Sequence, residues 1–262
     1  MDLGIADFQL PIFDLSFRQH QSKISNQQSA IDQLSRRYWQ SWSIQVPYQN
    51  RVDPYGQLHA VRNRGAWMGN RGILHNDARE IVAHWRLQRW ITCRLSFKDR
   101  YRRVFTPHRY SELFFLDEAT AFAAGHRPCA ECRRQRYNEF REAWSMGTPG
   151  VSKGEKLRAD DIDRQLHLER AVRGGGKQSY QSNLSVLPSG AFIDRHGGAY
   201  LWWNRSLYPW TFAGYDKPIA IRAPGEAVRV LTPASIVAAF RQGFVPQVHE
   251  SISLIAQSAD TA

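Results

Sequence analysis

SELFFLDEATAFAAGHRPCAECRR, residues 111–134, is the stretch on which the reading of this chain turns. Ser111 and Glu112 lead into Leu113–Leu116, the composition of a short buried strand. Asp117 then suits a helix N-cap, EATAFAA the helix itself, and Gly125 its stop. Pro128 stiffens the approach to Cys129-x-x-Cys132, and RRQRYNEFREAW (133–144) starts a second helix at once. Tyr137, Phe140 and Trp144 line one face of that helix, with Arg133, Arg134 and Arg141 largely off it. Two thiolates two residues apart on a turn suit one tetrahedral ion, and a helix N-terminus favours negative sulfur. A redox pair and inert thiols are the alternatives. The redox context, a strand feeding the motif within a βαβ unit, is replaced here by a helix and Gly125.

Upstream, RWITCRLSF (89–97) alternates Trp90, Thr92 and Arg94 against Ile91, Cys93, Leu95 and Phe97, the period of a half-buried strand. Before it, RNRGAWMGNRGILHNDA (62–78) reads as a glycine-punctuated, Arg-rich loop that leads into a helix near 77–87. RVDPYGQ (51–57) is a break, 28–43 has helical spacing at Ile31, Leu34, Tyr38 and Trp42, and 1–27 reads as peripheral.

Downstream, 145–156 reads as a linker and ADDIDRQLHLERAV as a charged helix. Asp163 and His167 share a face there, with Glu169 close by, and could hold a divalent ion; the plainer reading is a solvated helix with ion pairs to Arg164 and Arg170. GGGKQS (174–179) fails the phosphate-loop pattern, having Ala171 and Gln178 where Gly and Ser or Thr are required, and is assigned to a linker. The strands GAFID, AYLWW, LYPWTF, PIAIR and AVRVL then suggest a small antiparallel sheet or barrel. A last helix is signed by Thr232 as N-cap, Pro233 at its first position and Gly243 beyond it.

Residues 89–134 resemble the zinc-binding domain at the N-terminus of the Ada adaptive-response alkylation-repair proteins. SELFFLDEATAFAAGHRPCAECRR follows that family's order of strand, alanine-rich helix, Ala-Gly-aromatic-Arg-Pro and Cys-x-x-Cys. RWITCRLSF resembles its preceding strand more loosely, and the chain as a whole resembles a bacterial family built around the motif. The resemblance implies that Cys129 and Cys132 are the downstream ligand pair of a Zn²⁺ site. It also implies that Cys93 is a third ligand, at the position associated with taking a methyl group from a DNA phosphotriester. The family's fourth Cys falls at Phe97, so a His, a carboxylate or water completes the set. His75 is the first candidate and His126 the alternative, with His108 and His84 behind them.

The formal charge of +11 favours a polyanionic partner, nucleic acid ahead of membrane, and the resemblance implies DNA; a solvated basic surface is the bland alternative. Arg86, Arg89, Arg94, Lys98, Arg100, Arg102, Arg103 and Arg109 interleave with Trp85, Trp90, Phe97, Tyr101 and Phe105, as a surface that tracks phosphates and stacks on bases requires; Arg133 and Arg134 extend it. Three cysteines do not make a disulfide framework, and the start, with Asp2, Asp7 and Asp14, does not read as a secretory signal, so a cytoplasmic protein with reduced thiols is expected.

The expected architecture is α+β: an Ada-like zinc-knuckle α/β core with a small antiparallel β-rich C-terminal part and flanking helices. It divides into a tail and helix (1–47), the metal-binding domain (48–146), a linker and charged helix (147–183) and the β-rich domain (184–262). The leading function is zinc-dependent nucleic-acid binding in DNA damage recognition or repair, with Cys93 as a zinc-bound thiolate. A metal-dependent nuclease or hydrolase acting on phosphate esters is one alternative. A structural zinc beside a small-molecule- or protein-binding β domain is another.

Overall fold

The structure, a computed structural model, describes residues 46–99, 103–151, 157–219, 221 and 225–260. The helix expected over 28–43 and the tail before it lie outside the described residues. Six short strands make the first sheet: β1 (Arg51–Val52), β2 (Leu58–His59), β3 (Trp67–Asn70), β4 (Ile91–Cys93), β5 (Leu113–Phe115) and β6 (Arg127–Pro128). Their order is β2-β1-β5-β3-β4-β6, with the β1/β5 and β4/β6 pairs parallel and the others antiparallel.

Between β5 and β6 runs α1 (Glu118–Ala123). Asp117 caps it as expected, accepting from the Thr120 N–H at 2.8 Å, and Gly125 ends it at φ 86°. All six residues of α1 are buried, which explains its small side chains. Ala121 and Ala124 pack with Val52, Leu74, Leu113 and Phe115 of the first half. Ala119 and Ala123 pack with Phe192, Leu201, Tyr208 and Leu231 of the second. Phe122 joins a third cluster with α2 (Arg134–Gly147), α3 (Ala159–Arg170) and α4 (Ala234–Arg241). Pro47–Ala262 accordingly forms one compact unit, and the segments 48–146, 147–183 and 184–262 share their core.

The second sheet is wholly antiparallel: β7 (Tyr180–Asn183), β8 (Phe192–Arg195), β9 (Gly198–Trp203), β10 (Ser206–Thr211), β11 (Gly214–Tyr215) and β12 (Ala227–Val230), in the order β11-β10-β9-β8-β12-β7. The α+β class therefore holds. A last helix, α5 (Ser251–Asp260), carries no start signal strong enough to be read from sequence.

Several local expectations are corrected. No helix forms near 77–87. There the Asn76 side chain accepts from the Glu80 N–H at 2.9 Å, Arg79 adopts φ 65°, and His75 bridges Ile81, so side-chain capture of the backbone and a left-handed residue defeat the helix. Trp67–Asn70, assigned to a loop, is a central strand. Among its described residues PIAIR contributes a bridge from Ile219 to Leu207, whereas YQSN, assigned to a linker, is β7. Thr232 does not cap α4: its buried hydroxyl accepts from the Phe192 N–H at 2.9 Å.

Candidate metal centre

The cysteines meet because of strand register. Thr92 of β4 pairs with Pro128 of β6 in parallel, and the Cys129 N–H donates to the Thr92 carbonyl at 2.9 Å. One step further along both strands, Cys93 therefore stands beside Cys129. The chain then turns within one knuckle, closed by the Arg133 N–H on the Cys129 carbonyl at 3.1 Å, and returns Cys132 to the same point at the start of α2. The three Sγ atoms lie within 4.8 Å of one another. A tetrahedral ion with metal–sulfur bonds of about 2.3 Å needs its sulfurs about 3.8 Å apart, so the triad can bind a metal ion with little movement.

The backbone is already arranged for sulfur anions. The N–H groups of Cys132 and Glu131 donate to Cys129, the latter at 3.4 Å, and the Arg94 N–H donates to Cys132. Hydrogen bonds from Cys132 and then Cys93 hold the Cys129 thiol far below its ordinary range, despite burial. Donation to Cys129 pushes Cys132 up, and donation to Cys129 and Cys132, with burial, pushes Cys93 up.

Behind the knuckle are two buried ion pairs. Arg133 reaches Glu118 at 2.5 Å and the Thr92 hydroxyl at 3.1 Å, with its guanidinium over Trp67 at 3.8 Å. Arg127 makes a bidentate pair with Asp163 at 2.8 and 2.6 Å, tying β6 to α3. These pairs lock the approach and exit of the cysteine turn.

In front, the sulfurs open onto a cleft of about 820 Å³. The two alternating sets in RWITCRLSF separate here. Trp90 and Thr92 turn into the core, while Ile91, Cys93, Leu95 and Phe97 face the cleft, joined by Met68 and Phe114 from neighbouring strands. Arg94 and Arg109 also line it, as do the acids Asp99, Glu112 and Glu131. Glu131 faces Lys98 at 3.7 Å and Glu112 accepts from the Phe105 N–H at 2.9 Å.

No family model, curated protein or solved structure matches the chain.

The histidines offered as fourth ligand are elsewhere. Both His75 nitrogens are engaged, with Ser111 Oγ at 2.6 Å and the Thr106 carbonyl at 3.3 Å, and the ring stacks on Phe105. His126 is buried against Phe115 and Trp90 and accepts from Arg71 Nε at 3.2 Å. Among the described residues, no His nitrogen or carboxylate oxygen lies within 4.8 Å of all three sulfurs.

Asp163, His167 and Glu169 do not form a site. Asp163 is committed to Arg127, His167 packs edge-on against Trp85, and Glu169 accepts from the Ser235 N–H and hydroxyl at 3.0 and 2.8 Å. Of the basic residues expected to meet nucleic acid, Arg86, Arg89, Arg94, Lys98, Arg103 and Arg134 are exposed. Arg100 and Arg102 lie outside the described residues. Arg133 is corrected to a buried structural cation. Met68 and Phe114 are cleft residues that the sequence does not signal, because β3 hides among glycines and the strand pairing is non-local.

Proposed function

We propose that this chain is a zinc-binding, nucleic-acid-binding protein in which Cys93 is a thiolate that takes an alkyl group from a phosphate ester of DNA. The observation that carries the reading is the convergence of three sulfurs, with no fourth protein ligand among the described residues, on a cleft with an apolar wall and with Arg94 and Arg109 in its lining. Structural zinc sites are closed by four protein ligands, and open ones serve chemistry. Cys93, Cys129 and Cys132 would hold the ion, which when bound keeps their sulfurs deprotonated near neutral pH.

The residues divide the work by chemistry. Ile91, Leu95 and Phe97 suit a small alkyl group. Arg94 and Arg109 suit the phosphate oxygens around it. In the transfer, Cys93 Sγ attacks the alkyl carbon, an S–C bond forms, the C–O bond breaks, and the phosphate leaves as a diester anion. The product thioether is stable, so each chain would act once. The resemblance of residues 89–134 to the Ada zinc domain supports the same reading.

Mass spectrometry of zinc-loaded protein after incubation with methylphosphotriester DNA tests it. A mass gain of one methyl group on Cys93, absent from Cys93→Ser, is expected. An unmodified Cys93 at full zinc loading would refute the transfer, leaving metal and nucleic-acid binding to be judged by their own measurements.

A further inference from the structure

The glycine-rich loop that fails as a phosphate loop has a second role in the fold. Its backbone returns from α3 against the first half of the molecule, with Lys177 bridging Ala171 and the Gln178 N–H donating to the Arg170 carbonyl at 3.2 Å. Lys177 is thereby brought beside Arg71, 106 residues earlier in the chain (177 − 71). Arg71 is only 2% exposed. Its Nε donates to His126, its Nη1 donates to the Gly56 carbonyl at 2.9 Å, and its guanidinium lies over Trp90 at 4.3 Å. Nη2 is buried and has no hydrogen-bond partner among the described residues, and neither has the buried Lys177 Nζ.

Both side chains line the same cavity of about 220 Å³, together with Tyr55, His84, Trp85 and Trp90. Gly56, at φ 78°, marks how closely the two cations flank that space. A Cβ there would lie 3.5 Å from Arg71 Nη2 and 3.6 Å from Lys177 Cδ. A neighbouring hollow of about 470 Å³ shares Lys177 and Tyr55, so the pair of cavities is in the size range of small-molecule sites, roughly 300–1,000 Å³.

The charges nearby do not balance the two cations. Asp53 is the carboxylate that faces them, and it already accepts from His59 Nε2 at 2.8 Å and from the Gln57 N–H at 2.9 Å. Asp194, across the neighbouring hollow, is taken by Arg229 and by the Tyr55 hydroxyl, both at 2.6 Å. Burial of unpaired donors of this kind is costly, and an oxyanion placed between them would remove the cost. Burial is the main cause that pushes Lys177 down to about 7; the pull of Asp53 opposes it, and smaller repulsions from Arg71 and Arg229 add to it.

We infer that the cavity between Arg71 and Lys177 is a binding site for the phosphate group of a small phosphate monoester, distinct from the cysteine cleft. Arg71 Nη2 and Lys177 Nζ are two buried donors without acceptors among the described residues, and a phosphate group offers them three terminal oxygens where a carboxylate offers two. The aromatic walls provided by Tyr55, Trp85 and Trp90 would then meet the organic part of the ligand.

The test is isothermal titration of the full chain with inorganic phosphate, sulfate and acetate at constant ionic strength. The wild-type protein is expected to bind phosphate and sulfate saturably, one per chain, and at least tenfold more tightly than acetate. Lys177→Met should weaken phosphate at least tenfold. Its circular dichroism should match the wild type and its ligand-free melting should be no lower, because Nζ makes no hydrogen bond to lose. Lys177→Arg should restore part of the affinity. Cys129→Ser should bind phosphate as the wild type does, which separates this site from the metal centre. Absence of saturable phosphate binding, equal affinity in Lys177→Met, or acetate binding as tightly as phosphate would each overturn the inference.

Discussion

Burial without a counter-charge decides what His126 does as the pH falls. The ring is fully buried, and burial first, then Arg71 and Arg170, hold its pKa well below the ordinary 6.5. Below about pH 6.5 the unfolded chain takes a proton there that the folded chain refuses, so stability conferred by the neutral ring is present above that pH and lost beneath it. The full slope for one such group is about 1.4 kcal/mol per pH unit. Melting temperature should therefore fall between pH 7 and pH 5, and His126→Gln should fall less steeply. Identical slopes in the two proteins would show that another group governs the transition. At this scale the sequence reveals residue chemistry but not partners. Cys129 and Cys132 are legible because their spacing alone makes a knuckle. His75 is not, since the hydroxyl that occupies it belongs to Ser111, 36 residues away.

Elements announce themselves when their signals are local. The cap at Asp117, the stop at Gly125 and the apolar face of Tyr137, Phe140 and Trp144 can all be read within a few positions, and all hold in the structure. Strands β1, β3 and β6 are two to four residues long and exist only because distant segments pair with them, so no periodicity could expose them. The same limit hid the clasp between β6 and α3. Asp163 reads as one of several acids on a charged helix until Arg127 is placed against it. Replacing Asp163 by Asn leaves a buried guanidinium without its bidentate partner, at a cost of about 3–5 kcal/mol. Chemical denaturation should show that loss. Divalent ions added to the wild type should change nothing, because the carboxylate is already taken; stabilisation by Mg²⁺ or Mn²⁺ that disappears in Asp163→Asn would contradict this placement.

Pro47–Ala262 forms one compact unit. No described helix is long and apolar enough to cross a membrane. The charge of +11 could be read from composition, but its distribution could not: Arg71, Arg127, Arg133 and Arg170 are spent inside the fold. What remains near the cysteine cleft sets the expected salt dependence of DNA binding. Replacing Arg94 and Arg109 together by Ala should lower the slope of log affinity against log salt by about 0.9 for each phosphate that is no longer neutralised. An unchanged slope would place DNA on another face.

The central claim, that Cys93, Cys129 and Cys132 hold one metal ion at an open site, is tested most directly by elemental analysis of protein purified at neutral pH and exposed to zinc. One zinc per chain is expected in the wild type, with most of it lost in Cys129→Ser and in Cys132→Ser, and binding weakened in Cys93→Ser. A wild-type protein that stays metal-free with Cys129 and Cys132 joined in a disulfide, or zinc retained in full by all three variants, would contradict the claim.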